Sequence, residues 1–277
     1  MVISKRHIAK TITWRIIGTL DTLLLAWLIS SDFEVELKND DSSLTKADIE
    51  SNLVITKYLS TSNIPILSKE GKEIPFKVRK EWNQLWIVDP IDGTKEFIKH
   101  NGEFTVNIAL IENQKPILGV ILVPATCILY FSIKHIGAFK TTIDLEKSVD
   151  TNHIVENARS LPITRDDDIY TVVASRSHRS KATDDYVNQL QNKHGNIKTI
   201  SKGSSLKICM VAEGKADCYP RFAPTMEWDT AAGQAICEHA GFEVIDWETK
   251  QPMLYNREQL LNNWFFGSKK GLIHHYF

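Results

Sequence analysis

At 277 residues, with 43% hydrophobic and 24% charged positions, the chain has a globular composition and room for one large domain or two small ones packed together. A formal net charge of −1 excludes the strong basic field expected of a nucleic-acid-binding protein. The four cysteines, Cys127, Cys209, Cys218 and Cys237, contain no Cys-x-x-Cys pair and sit among apolar neighbours, so they read as buried reduced thiols of a cytoplasmic-type protein rather than a disulfide framework.

Residues 1–32 are atypical. Lys5, Arg6, Lys10 and Arg15 precede an apolar run over 16–29 that is interrupted by Gly18, Thr19, Asp21 and Thr22. About 14 residues fall short of the roughly 20 that a spanning helix needs. Asp21 at membrane depth would cost about 2.5–3.5 kcal/mol. A basic flank followed by no A-x-A cleavage pattern argues against a signal peptide. Two readings stay open: a helix packed on the domain, or a peripheral association at the cytoplasmic face of the inner membrane, with the basic flank setting the side.

Thr45 can cap a helix over 45–59, with apolar positions at Ile49, Leu53, Val54 and Tyr58. Residues 64–67 are a short strand candidate, 71–81 a charged loop or short helix, and 85–88 a buried strand. The β-rich runs 105–111 and 117–123 flank a hairpin signal, and 128–132 and 138–140 continue an antiparallel sheet. Residues 144–164 are polar and loop-like and mark a boundary. Beyond them strands at 170–174, 197–200, 216–219 and 243–246 alternate with helices at 180–193, 205–213 and 230–240. The first half therefore reads α+β and the second α/β.

The chemistry concentrates at the end of the 85–88 strand, in "LWIVDPIDGTKEF". Pro90 cannot extend a strand ladder, so the chain turns as it leaves the sheet, and Gly93 permits a tight continuation. That turn can bring Asp89, Asp92 and the Ile91 carbonyl together, three hard oxygen donors suited to Mg²⁺. Spacing alone favours a plain Asp-Pro turn before a helix cap. Asp229 in "MEWDTAAGQA" alone reads as a helix N-cap, Asp48 in "LTKADIES" as part of a solvated face, and Glu70 follows a strand in "ILSKEG".

Taken together, "LTKAD", "WIVDPIDGTKEF" and "EWDTAAGQA" resemble the inositol-monophosphatase superfamily of Mg²⁺-dependent, lithium-sensitive phosphatases. "DGTKEFIKHNGEFTVNIALI", "SRSH", "GSSLK" and "YPRFAPTMEWDTAAG" resemble its 3′(2′),5′-bisphosphate nucleotidase branch. The likeness runs in order from about residue 33 to the C-terminus. Residues 1–32 instead resemble a small family of predicted bacterial membrane proteins of unknown function.

The resemblance implies an α/β fold layered as an αβαβα sandwich. Its two subdomains would be 33–150, which holds the metals, and 151–277, which selects the substrate. It implies two or three Mg²⁺ ions held by Asp89, the Ile91 carbonyl, Asp92 and Asp229, with Asp48 and Thr94 orienting and deprotonating the attacking water. Substrate contacts fall on Gly93, Thr94, Lys95, Arg176, His178, Ser204, Ser205, Lys207, Tyr219, Arg221 and Asp229. Each cation or tyrosine alone reads equally well as surface or half-buried structure. As a set they suit a nucleotide with a second phosphate, and Gly203-Ser204-Ser205 opens a helix whose backbone N–H groups suit an anion.

The implied reaction is hydrolysis of 3′-phosphoadenosine 5′-phosphate, a small-molecule by-product of sulfate activation, to AMP and phosphate. The oligomeric state is left unassigned. One position breaks the pattern. Where the family reads Ser-Glu-Glu, with the first glutamate a metal ligand, this chain reads Ser68-Lys69-Glu70. An ammonium cannot coordinate Mg²⁺ and repels it; Glu70 is the substitute metal ligand only if it swings in, since strand alternation would point it away. Three readings follow: a nucleotidase with weakened metal affinity, an inositol-monophosphatase-type enzyme, or a nucleotide-binding protein without catalysis in which Lys69 mimics the missing cation.

Overall fold

The computed structural model describes residues 35–37, 43–143, 151–163, 165, 168–175 and 180–271. The basic-apolar segment 1–32, Arg176 and His178 lie outside these residues. Among the described residues no helix is long and apolar enough to cross a membrane.

The larger sheet has seven strands in the order β3 (Ile66–Ser68), β4 (Gln84–Asp92), β5 (Thr105–Glu112), β6 (Lys115–Val123), β7 (Ile128–Ile133), β8 (Gly137–Thr142) and β9 (Arg159–Ser160). Only the β3–β4 pair is parallel; the rest form an antiparallel meander. The β5–β6 turn is made by Asn113 and Gln114, at φ of 48° and 65°, the left-handed pair that matches strand twist in a two-residue hairpin. A separate two-stranded ribbon pairs β1 (Val35–Leu37) with β2 (Ser43–Thr45).

The second sheet has five strands ordered β11 (Ile197–Lys202), β10 (Tyr170–Ser175), β12 (Cys218–Arg221), β14 (Phe265–Lys269) and β13 (Phe242–Asp246). The strands β11, β10 and β12 run parallel, and β14 enters antiparallel between β12 and β13. The sequence reading does not contain β14. Its residues Phe265 to Ser268 are buried on both faces, so the period-2 signal is absent.

Helices complete the layers. Helix α1 (Lys46–Leu59) covers one face of the larger sheet, and the one-turn α2 (Phe76–Arg79) lies between β3 and β4 in the chain; α6 (Leu206–Ala212) and α7 (Glu227–His239) fill the space between the sheets; α5 (Lys181–His194) covers the far face of the smaller one. The result is an αβαβα sandwich. Strand alternation sorts β4: Trp86 and Val88 pack with Ile55 and Leu59 of α1, while Leu85 and Ile87 join the core that includes Ile208 and Ala231. Helix α7 lies so close to β6 that a Cβ on Gly119 would stand 2.4 Å from the Ala232 carbonyl oxygen.

Two local differences have physical causes. The buried face of α1 is the i, i+4 stripe Ala47, Ser51, Ile55 and Leu59, joined by Asp48, whereas Ile49 and Leu53 are 44% and 62% exposed. Small and polar residues on the buried stripe hide it from an apolar pattern. Within 144–164, α4 (Thr151–Asn157) and the short edge strand β9 add structure where polarity suggested loop. Strand β9 pairs Arg159 and Ser160 with Lys140 and Phe139 through backbone alone and needs no apolar side chains.

Candidate active site

Strand β4 carries the chain to the site. Asp89 pairs with Asn107 of β5 and Asp92 with Thr105, with a register shift between them at Pro90-Ile91. Pro90 offers no ladder donor, so the irregularity falls where the sequence demands it. Asp89 shares the face of Leu85 and Ile87 and so turns toward α7, the helix that carries Asp229. Gly93 takes φ +86°, and the short helix α3 (Thr94–Ile98) starts immediately after it.

These elements bring Asp89, Asp92 and Asp229 together, with one carboxylate oxygen from each inside a 4.8 Å cluster. Three hard acidic oxygens on rigid elements are a donor set that fits Mg²⁺. Each carboxylate is held. Asp92 Oδ2 accepts from the hydroxyls of Ser204 (2.6 Å) and Ser205 (3.0 Å). Asp229 Oδ2 accepts from the Met226 N–H at 2.8 Å. Asp229 is thus the third helical residue reaching back to the cap position, not the cap itself, and its structural and ligand roles are compatible.

Asp48 is fully buried rather than on a solvated face, and the side chain facing it is Lys69. The Lys69 Nζ lies 3.0 Å from Asp89 Oδ1, 3.5 Å from Asp48 Oδ1 and 3.9 Å from Glu70 Oε1, and it donates to the Ile91 carbonyl. Strand alternation would have pointed Glu70 away. Strand β3 ends at Ser68, however, and Gly71 N–H closes a turn onto the Ser68 carbonyl at 3.0 Å, so alternation no longer applies and Glu70 reaches the same centre.

The electrostatics follow from burial. Burial opposes the charge on Lys69, but Asp89, Asp48 and Glu70 together outweigh it and hold the ammonium above its ordinary pKa. Burial raises Asp89 well above the usual carboxylate range; Lys69 pulls it back, and Asp92 and Asp229 push it further up. Asp229 is pushed up to about 6 by burial and then by Asp92. Crowded buried carboxylates of this kind are relieved by bound cations.

A cavity of about 510 Å³ opens onto the cluster, lined by Gly93, Thr94, Lys95, Ser175, Gly203, Lys207, Tyr219, Arg221 and Thr225 among others, within the roughly 300–1,000 Å³ of small-molecule sites. Lys207 is buried, lies 5.8 Å from the Tyr219 ring centroid, and donates to the Ser204 carbonyl. Burial lowers its pKa to about 8, with Asp92 opposing the shift. Arg221 donates to the Pro224 carbonyl at 2.8 Å. Lys95 is exposed at the rim.

Sequence reasoning missed the supports. Thr105 and Asn107 are buried polar residues of β5, and the Asn107 amide donates to Ser205 Oγ at 2.9 Å. Glu103 accepts from the Gly203 N–H at 2.8 Å and pairs with Lys202 at 2.9 Å, fixing the loop that carries the two serines. The available signal was Thr105 and Asn107, two polar residues at period 2 entering an otherwise apolar strand.

A cavity lined by cations and closed by one buried and two half-buried carboxylates defines a site for a phosphorylated ligand handled with divalent metal. The chain belongs to the inositol monophosphatase family, whose profile matches residues 16–275. It is 44% identical to the protein of Salmonella typhimurium named 3′(2′),5′-bisphosphate nucleotidase CysQ, over 88% of this chain and 93% of that one. The Escherichia coli K12 protein of the same name gives the same identity and coverage. The crystal structure of CysQ from Bacteroides thetaiotaomicron superposes with a TM-score of 0.86 at 46% identity, over 94% of this chain and 97% of that one. SuhB from Bartonella henselae, at 21% identity and a TM-score of 0.73, shares the fold.

Proposed function

We propose that the cavity hydrolyses a 3′(2′),5′-bisphosphate nucleotide, with 3′-phosphoadenosine 5′-phosphate giving AMP and inorganic phosphate. The observation that carries this reading is the joining of the Asp89–Asp92–Asp229 cluster to a cavity that also holds the cations Lys207 and Arg221. One phosphate sits at the cluster, and the cations serve a second phosphate that an inositol monophosphate lacks. The relatives named bisphosphate nucleotidase support the choice.

Asp89, Asp92 and Asp229 would hold Mg²⁺, which would neutralise the phosphate dianion and acidify water, while the Ile91 carbonyl, the other expected donor, accepts from Lys69. The chain's own residues do the rest. Asp48 accepts the proton of the attacking water and Thr94, at the cavity wall, orients it. As the new P–O bond forms, the ester P–O bond to the ribose oxygen breaks. Gly93, Thr94, Lys95, Ser204, Ser205, Tyr219 and Arg221 shape the pocket around the nucleotide. We place this chemistry in the cytoplasm, a reading supported by buried thiols at Cys209, Cys218 and Cys237.

The contacts of Lys69 favour a second reading, retention of the nucleotide without turnover. Phosphate release from 3′-phosphoadenosine 5′-phosphate and from inositol 1-phosphate, with Mg²⁺ titrated to high concentration, separates these readings. Release from the bisphosphate nucleotide in preference is expected. Preference for inositol 1-phosphate would overturn the nucleotidase assignment. Release only after Lys69→Glu would leave the binding reading standing.

A further inference from the structure

We propose that the Lys69 ammonium is a tethered cation occupying the place of one divalent ion, so that this centre binds one fewer ion than it would with a carboxylate at position 69. The inference rests on the reading of the site as a divalent-metal centre and concerns how many ions that centre takes. It does not depend on which phosphate ester is cleaved.

Oxygens from separate chain segments converge on a single nitrogen. Nζ lies 3.0 Å from Asp89 Oδ1 and 3.5 Å from Asp48 Oδ1, and donates to the Ile91 carbonyl. Two acidic oxygens and a backbone carbonyl are the hard donors that a Mg²⁺ ion would use. An ammonium offers three N–H bonds and meets the same donors without metal. It is also held in place: the Lys69 side chain is only 19% exposed, and Lys69 N–H is fixed to the Val88 carbonyl at 3.1 Å. A divalent ion on Asp89 Oδ1 would stand against this positive charge, so the two exclude each other.

The other half of the centre is built differently. Asp92 and Asp229 are oriented through Oδ2 by Ser204, Ser205 and the Met226 N–H, which leaves each with a second oxygen outside those bonds. The carboxylates of Asp89, Asp92 and Asp229 still converge. The chain therefore keeps one ion site at Asp92 and Asp229 and replaces its neighbour, the one that includes Asp48, with its own side chain. A fixed single charge near the attacking water neutralises phosphate less than a divalent ion and does not acidify water, so turnover is slow while phosphate binding is retained.

The test is a count of Mn²⁺ bound by the full chain, from the free-ion signal in electron paramagnetic resonance titrations at neutral pH. Wild type is expected to bind one Mn²⁺ per chain and Lys69→Glu to gain one. Lys69→Met, which removes the charge and leaves Asp48, Asp89 and the Ile91 carbonyl in place, is expected to gain a weaker site. Two or more ions on the wild-type chain would overturn the proposal even if neither variant folds. So would folded Lys69→Glu and Lys69→Met proteins that bind no more than wild type. Failure of the nucleotidase reading leaves these counts unchanged, because the titration contains no nucleotide.

Discussion

The Ser204 hydroxyl donates to Asp92 Oδ2 at 2.6 Å across 112 residues of chain, tying the loop before α6 to the end of β4. Ser204 reaches it from a backbone φ of 53°, a left-handed conformation that a serine adopts at some cost and that the surrounding contacts impose. Outer hydrogen bonds to a ligating carboxylate fix its orientation, and their loss typically costs about 10–100-fold in metal affinity. Ser204→Ala is therefore expected to weaken Mn²⁺ binding by about tenfold, the low end because Ser205 still holds Asp92. Thermal melting of the metal-free protein should change little. The dissociation constant checks this; an unchanged value would mean Ser205 alone positions Asp92.

Lys207 sets a pH limit. Its pKa is lowered to about 8 by burial, so the free protein loses this cation as pH rises through 8. Protonated Lys207 attracts phosphate and neutral Lys207 does not, so kcat/KM for the bisphosphate nucleotide should fall above pH 8. The kcat profile should hold to higher pH, because a bound phosphate returns the proton to Lys207. Lys207→Met should raise KM at pH 7 and flatten the limb near 8. A limb that persists in the variant would assign the titration to another group.

The packing of α7 on β6 is coupled to the site through Gly119. A Cβ there would meet the Ala232 carbonyl oxygen at 2.4 Å and the Ala235 Cβ at 2.8 Å, neither the end of a flexible side chain. Relief requires the helix to move, and overpacking of this kind costs about 1–3 kcal/mol. Gly119→Ala should lower the unfolding free energy by that amount, seen as a lower urea midpoint with unchanged slope. Since α7 also carries Asp229, it should weaken Mn²⁺ binding as well. Full stability in the variant would show that the helix shifts freely.

What could be read from the chain depended on range. The turn through Asp89, Asp92 and Gly93 was legible because Pro90 and a permissive glycine force it locally, although spacing alone read it as a plain turn and its metal chemistry came from the family's pattern. Asp229 and Asp48 needed the family's pattern, since an acid near a helix start has ordinary structural uses. Taken alone Asp48 read as part of a solvated face; it is buried, and the partner that faces it, Lys69, is 21 residues away. Thr105 and Asn107 act through the β4–β5 register, so period-2 polarity in an apolar strand is their one local mark, and β14, which enters its sheet from far along the chain, has none. The departure at Lys69 was visible as a missing ligand; where the ammonium goes is a tertiary fact. The backbone N–H groups of Gly203-Ser204-Ser205 were read as an anion cradle; that the Ser204 and Ser205 hydroxyls hold Asp92 had no signature in the chain.

Protons and metal should compete at Asp229. Burial and the neighbouring Asp92 push its pKa up to about 6, above the 3.8 of an exposed aspartate. A carboxylate raised in the fold contributes stability that is fully present below the unfolded value and is lost as pH rises through the folded one. For a shift of this size the metal-free protein should lose on the order of 3 kcal/mol, as an upper limit, between pH 4 and pH 7. The chelated chain is thus expected to melt higher at pH 5 than at pH 7.5, and Mg²⁺ at pH 7.5 should recover the difference by binding the charged cluster. Below pH 6 the same proton must leave before metal binds, so Mn²⁺ affinity should fall about tenfold per pH unit. Asp229→Asn removes the charge while its amide oxygen can still accept from the Met226 N–H, so the metal-free variant should melt higher than wild type at pH 7.5 and lose the response to Mg²⁺. A variant less stable than wild type under chelation would show that the Asp229 charge is compensated within the fold.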